Sequence, residues 1–400
     1  MTVGDRRLIT LREYTPISLA REDLTEAQGE LLWRTYGEIV GVEFPSPKTD
    51  RRWKLTSQGW AGHIPLSDEL GLTLEPKVEL GNLFTMLEYA YKLDFRILGG
   101  LVDCRSLQDF YERLANILAR RVLDRGRKGF YRRYLPESTD LPFVRGRLDV
   151  VQASRQPWVV KLPCDYEDHT PDVEENQILA WTLSRIAASG MCSERVLPTV
   201  RRAYRALHGF VSVVPFRPVE CVGRLYNRLN DDYHPLHALC RFFLEHSGPS
   251  HEVGDRRMLP FLVDMARLFE LFVAEWLAAH LTPEVVLKVQ EKVEVGERGA
   301  LTFRIDLVLY DAGTGQVRAV LDTKYKVPDS PSADDVSQVV TYAEMKGCTR
   351  AILIYPTDLP RPFDERIGAI RIQSVTFALA GDVETAGQEL LHSLGEVGIL

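Results

Sequence analysis

The sequence predicts an α+β chain of several domains. A mixed N-terminal domain covers residues 1–95, a mainly helical middle region covers 96–250, and a C-terminal α/β domain covers 251–400. Three observations lead there. Two strand-like runs, Thr302–Tyr310 and Val317–Tyr325, flank turn residues at Asp311–Gln316 and sit between strongly helical stretches. Apolar residues recur at helical spacing in Leu107–Leu123, Glu174–Ala188 and Tyr233–His246. A length of 400 residues suits two or three cores.

The elements follow in order. Arg6–Glu13 and Trp53–Ile64 have strand character, and Thr25–Ile39 carries a Leu/Trp/Tyr helical stripe. Gly41–Arg52, with two prolines, reads as a loop. A helix is expected from about Asn82 to Leu93, with Gly81 or Asn82 near its cap. Val144–Val151 and Trp158–Cys164 suit strands on either side of Ser154–Pro157, and the loop Ser247–Arg257 suits a domain boundary. Beyond it, Met258–Ala279 reads as a helix whose stripe runs Phe261, Met265, Leu268, Phe272, Trp276, with Glu270 at its edge. A strand over about Val285–Val295 and the hairpin come next. Ser332 can then cap a helix over Ala333–Lys346 that Gly347 stops, ahead of a buried strand at Arg350–Pro356.

The hairpin carries the chemistry. Side chains alternate along a strand, so Phe303, Ile305, Leu307 and Leu309 share one face and Asp306 points from the other. Asp322 and Lys324 share a face with Val320. Carboxylates inside strands are disfavoured without compensation, and a divalent cation supplies it. Asp…Asp-x-Lys on paired strands resembles the active site of the PD-(D/E)xK nuclease superfamily. The order helix, three strands, helix, strand resembles its αβββαβ restriction-endonuclease-like core, and Gln338-x-x-x-Tyr342 resembles a helical motif of its RecB-like branch. Glu75-Pro-Lys77 also fits the tripeptide, but its proline argues against an interior strand. On this reading Asp306, Asp322 and the Thr323 carbonyl hold Mg²⁺, with Mn²⁺ as a substitute. Lys324 holds the water or neutralises the transition state, Glu270 acts through water or a second cation, and Gln338 and Tyr342 orient DNA or the lysine. The competing reading is a plain surface ion pair between Asp322 and Lys324.

A net charge of −7 argues against an indiscriminate DNA-coating protein. One stretch is basic nonetheless: Arg120, Arg121, Arg125, Arg127, Lys128, Arg132 and Arg133, interleaved with Phe130, Tyr131 and Tyr134 and followed by Arg145 and Arg147. It suits a phosphate backbone or an acidic protein partner. The six cysteines show no zinc spacing and suit free thiols in a reducing cytoplasm. No signal peptide or membrane-spanning run is expected. The chain has no phosphate-cradling Gly-x-x-x-x-Gly-Lys-Ser/Thr and no Gly-x-Ser-x-Gly. His234 and His237 read as a cap or surface pair rather than metal ligands.

Several blocks resemble the McrC family in order: Leu74–Tyr91, Phe143–Asp149, Cys164–Leu179 and Leu268–Val273. The resemblance implies the nuclease subunit of a McrBC-type restriction system. It implies a hexameric AAA+ McrB-type GTPase as partner, and double-stranded DNA with modified cytosine as target. The N-terminal domain would then dock on the motor. The alternatives are a self-sufficient nuclease of another system and a catalytically silent activator of an AAA+ ring.

Overall fold

The computed structural model describes residues 7–67, 69–93, 104, 106–156, 158–249, 251–253, 256–295, 301–326 and 328–400. Arg6, Pro157, Ser250, Gly254 and Asp255, which fall in expected strand or loop segments, lie outside the described residues. The chain forms two compact units, Gln108–Phe261 and Arg7–Leu107 with Leu262–Leu400.

The N-terminal part of the composite unit runs β1 (Arg7–Arg12), β2 (Ile17–Leu19), α1 (Glu26–Tyr36), β3 (Val40–Glu43), β4 (Trp53–Ser57), β5 (Trp60–Pro65), β6 (Leu70–Glu75) and α2 (Leu80–Tyr91). The other unit holds α3 (Leu107–Lys128), β7 (Arg133–Leu141), β8 (Arg147–Leu148), α4 (Val150–Arg155), β9 (Leu162–Thr170), α5 (Glu174–Ala188), α6 (Leu197–His208), α7 (Tyr233–Glu245), β10 (His251–Val253) and β11 (Arg256–Met258). The C-terminal part runs β12 (Phe261–Asp264), α8 (Met265–His280), β13 (Val285–Val295), β14 (Leu301–Asp311), β15 (Val317–Thr323), α9 (Ala333–Lys346), β16 (Arg350–Tyr355), β17 (Asp364–Ile367), β18 (Ile370–Thr376) and α10 (Val383–Glu396).

A mixed six-stranded sheet, ordered β13-β14-β15-β16-β18-β17, carries the C-terminal part. The first three strands pair antiparallel, while α9 crosses over to bring β16 parallel to β15. The helix, three strands, helix, strand order expected from sequence is therefore present. Asp311 accepts from the Gly313 and Thr314 backbone N–H groups to fix the hairpin turn. Ser332 and Asp335 form a capping box at the start of α9, and Gly347 ends it at a φ of 62°.

Some elements depart from expectation. The expected helix Met258–Ala279 begins only at Met265, because the Asp264 carboxylate accepts from the Ala266 and Arg267 N–H groups and caps it there. Phe261 to Asp264 instead form β12, the edge of a sheet ordered β1-β6-β5-β12. Trp53–Ile64 is two strands, β4 and β5, which belong to different sheets and are parted by Gly59 at a φ of 77°. Within the expected loop Gly41–Arg52, residues to Glu43 belong to β3. Helix α2 starts earlier than expected. Asn82 does not cap it but donates to the Leu379 and Gly381 carbonyls at 2.9 and 3.0 Å. The run Val144–Val151 is mostly not strand. Asp149 accepts from Gln152 N–H and starts a short helix, α4, at Val150.

Two neighbouring cores hold the composite unit. Leu11, Trp53, Leu55 and Leu72 pack with Tyr36 of α1, and Leu262 joins them. Val308 and Val320 pack with Val339, Tyr342 and Ala343 of α9. Helix α2 lies on α8, with Tyr89 edge-on to Phe272 at 5.9 Å and Lys92 paired to Glu275 at 3.0 Å.

Candidate active site

Register brings the acids together. Leu307 pairs with Leu321, so Asp306 and Asp322, one step further along each strand, stand side by side on one face. Asp306 Oδ2 accepts from the Thr323 N–H at 3.2 Å and more weakly from its hydroxyl at 3.4 Å. Asp322 is fully buried. Its Oδ2 faces Lys324 Nζ at 2.7 Å, an ion-pair distance outside hydrogen-bonding angles, and Oδ1 meets no donor. Burial raises both carboxyls above the usual range; the Asp306 charge raises Asp322 further, while Thr323 and Lys324 partly offset the rise at Asp306.

Lys324 lies at the centre of the cluster. Nζ donates to Gln338 Oε1 at 2.9 Å and stands 3.8 Å from Asp335 Oδ1. Gln338 Nε2 in turn donates to the Tyr342 hydroxyl at 2.9 Å. The i, i+4 spacing on α9 thus yields one chain from Tyr342 through Gln338 to the ammonium. Burial disfavours the charge on Lys324, but Asp322, Asp335 and Asp306 outweigh it and leave its pKa raised.

Glu270 reaches the same cluster from α8. Its Oε1 is buried without a donor. Burial first, and Asp306 next, push its pKa up to about 7, with Arg304 and Arg267 partly opposing. The six candidate side chains outside the basic stretch therefore meet in one place.

Sequence reasoning missed Asp335. Its carboxylate takes Lys326 as well as the capping serine, so it joins the cap of α9 to the lysine side of the cluster. The Ser332-x-x-Asp335 spacing signalled the cap, but nothing in sequence showed that the cap faces Lys324. Tyr355, buried on β16 with no partner for its hydroxyl, was also missed. Asp335 and Asp322 together help raise its pKa, after burial.

Fit to a divalent cation rests on the unmatched carboxylate oxygens of Asp322 and Glu270. Among the described residues, no three His, Cys, Asp or Glu side chains are already drawn into metal-holding geometry. A cation here would draw on two carboxylates, a backbone carbonyl and water, a set that suits Mg²⁺.

The basic stretch lies in the other unit and is partly used internally. Arg125 donates to the Leu229 carbonyl at 3.0 Å, pairs with Asp232 at 3.5 Å and sits 5.2 Å from the Tyr233 ring centre. Arg145 pairs with Asp168 at 2.6 Å and stacks on Tyr166 at 3.9 Å. Arg127 pairs with Asp124 at 2.9 Å, and Arg132 donates to the His169 carbonyl at 3.3 Å. Arg120, Lys128, Arg133 and Arg147 are exposed, whereas Arg121 is half-buried. His237 is not on the surface. It is buried between the Tyr226 hydroxyl at 2.7 Å and the Glu175 carbonyl at 3.0 Å, and burial holds its pKa down to about 4.

An α+β chain with an acid-and-lysine cluster at a strand hairpin is the class that the fold and site define. Residues 55–356 match the McrBC family, described as McrBC 5-methylcytosine restriction system component, and the chain belongs to that family. It is 22% identical over 214 residues to the type IV methyl-directed restriction enzyme EcoKMcrBC of Escherichia coli strain K12. That match covers 52% of this chain and 61% of the relative, so the chain spans less than two thirds of that protein's length. A chain from the Thermococcus gammatolerans assembly of McrB AAA+ hexamers with bound McrC shares the fold. Its TM-score is 0.59 at 18% identity, over 98% of this chain and all (100%) of that one.

Proposed function

We propose that this chain is the nuclease subunit of a McrBC-type restriction system, with a PD-(D/E)xK active site at Asp306, Asp322 and Lys324. The carrying observation is the buried Asp322 carboxylate, side by side with Asp306 and facing Lys324, with one oxygen unmatched. Asp306, Asp322 and the Thr323 carbonyl would hold Mg²⁺ or Mn²⁺. The bound cation supplies Lewis acidity toward the scissile phosphate and a nearby water. Lys324 Nζ offsets the charge that builds on the phosphoryl oxygens. Gln338 and Tyr342 fix the direction of that ammonium. Glu270, with its buried Oε1 unmatched beside Asp306, would act through a water or a second cation.

Partner and target follow from the family. A McrB-type AAA+ GTPase would select double-stranded DNA carrying modified cytosine and deliver it to this site. The sheet ordered β7-β9-β8 fits a protein partner better than DNA. Phe143, Val144, Val151, Trp158 and Val160 around it are exposed, an apolar surface of the kind that marks protein contacts.

The test is cleavage of methylated duplex DNA by the chain together with its motor subunit. Asp322→Ala is expected to abolish cutting and leave stimulated nucleotide hydrolysis unchanged. Undiminished cutting by Asp322→Ala would remove the nuclease assignment.

A further inference from the structure

A cavity adjoins the cluster within the same unit. It measures about 310 Å³, at the small end of ligand sites, which run from about 300 Å³ upward. Tyr325 and Lys326, directly after Lys324, form one side. Tyr14, Val78, Pro356 and Leu379 supply aromatic and aliphatic wall. Lys77, from the Glu-Pro-Lys run that sequence reasoning set aside, lies over the Tyr14 ring at 4.8 Å. Tyr14 holds a φ of 54°, an uncommon backbone state for a bulky residue, and keeps its ring half exposed there.

Glu13 lines this cavity and is fully buried. Its Oε2 accepts from the Lys77 N–H at 3.0 Å and the Tyr325 hydroxyl at 3.1 Å. Its Oε1 has no donor. A buried carboxylate oxygen among apolar and aromatic walls calls for an N–H donor on a flat, largely apolar group. Lys77 supplies positive charge beside it, with Lys326 next to it though paired to Asp335, which suits a phosphate attached to that group.

We infer that this cavity binds one nucleobase of the DNA strand held at the hairpin site, with Glu13 Oε1 accepting from an amino or imino N–H of the base. The inference rests on the nuclease reading above, and it adds that a nucleotide next to the scissile phosphate leaves the stack and is held by the N-terminal segment. Tyr14 and Tyr325 give the base an aromatic surface. Glu13 and Lys77 come from residues 7–107, so the segment far from the hairpin in sequence completes the substrate site.

The test uses the full chain in EDTA and the four deoxynucleoside 5′-monophosphates, read by saturation-transfer NMR on the base protons. Wild type is expected to show base contact that inorganic phosphate competes away poorly. Ala380→Trp, at the exposed rim, should fill the cavity without touching the acids and weaken that contact at least fivefold. Glu13→Gln should change the ranking of the four bases. Equal base contact in Ala380→Trp, or full competition by inorganic phosphate, would overturn the inference and leave only an anion site at the lysines. Asp322→Ala separates the two readings. It should keep nucleotide binding while cutting stops. Persistent cutting by Asp322→Ala would sink the nuclease assignment, and absent base contact would sink the cavity assignment alone.

Discussion

At the scale of single residues, the cluster stores like charge in a buried place. Burial, and next the Asp306 charge, push Glu270 up to about 7 from the ordinary 4.5. The folded chain therefore holds that proton more tightly across this window. Stability from this group is greatest at lower pH and falls as pH rises from 4.5 through about 7. Without metal, Glu270→Gln should therefore stabilise the fold at pH 8, by on the order of 1–3 kcal/mol after allowance for solvent screening. At pH 5 it should change little. Thermal melts in EDTA at the two pH values check this, and an equal shift at both would refute the buried-charge account. Added Mg²⁺ should raise the melting temperature of wild type at pH 8, and Asp306→Asn or Asp322→Asn should lose most of that rise. Lys324→Ala should cut DNA at least 100-fold more slowly, because a charge at the phosphate is worth several kcal/mol in a dry site.

At the scale of elements, packing of α10 on α8 gives a sharp contrast. A Cβ on Gly387 would lie 2.1 Å from the Trp276 ring, whereas one on Gly395 would meet nothing within 4 Å. Trp276 is fully buried and has nowhere to move. Gly387→Ala should cost about 1–3 kcal/mol by overpacking. Gly395→Ala, on the same helix, should be neutral or stabilising by up to about 1 kcal/mol. Urea melts of both variants check the pair, and equal midpoints would contradict it. The end of α3 invites a second test. Arg127→Glu with Lys128→Glu should reduce stimulation of the motor's nucleotide hydrolysis while DNA affinity hardly moves. A flattened salt dependence, by about 0.9 in slope per contact, would instead place phosphates there.

At the scale of the whole molecule, the unit that carries the site is built from both ends of the chain. Asn82 binds the Leu379 and Gly381 carbonyls, Tyr325 donates to Glu13, and α2 covers α8. A fragment of residues 251–400 alone would expose Phe272 and the α2-facing side of α8. It should express poorly or unfold at lower denaturant than the full chain, and adding a chain of residues 1–95 in trans should restore part of the loss. A fragment as stable as the full chain would show the N-terminal segment to be dispensable for folding.

The sequence by itself determined what local rules decide. Strand alternation set Asp306 opposite Leu307 and placed Asp322 and Lys324 on one face. Ser332 and Gly347 bounded α9, and the i, i+4 spacing aligned Gln338 with Tyr342. These are properties of neighbours along the chain, and they require no knowledge of what packs where. Local rules erred where a competing local signal was short: Asp264 delayed the start of the helix to Met265, leaving Phe261 outside it, and Asp149 turned the end of an expected strand into the start of α4. Only the tertiary structure decided that Glu270 stands near Asp306, that Asp335 stands near Lys324, that Arg125 and Arg145 are held by internal partners, and that Glu13 and Lys77 stand beside Tyr325. Those placements depend on sheet register, crossover and burial between residues as far as 312 positions apart. No periodicity within either segment encodes such a distance, because the free energy that fixes it comes from surfaces that meet only once the chain has folded.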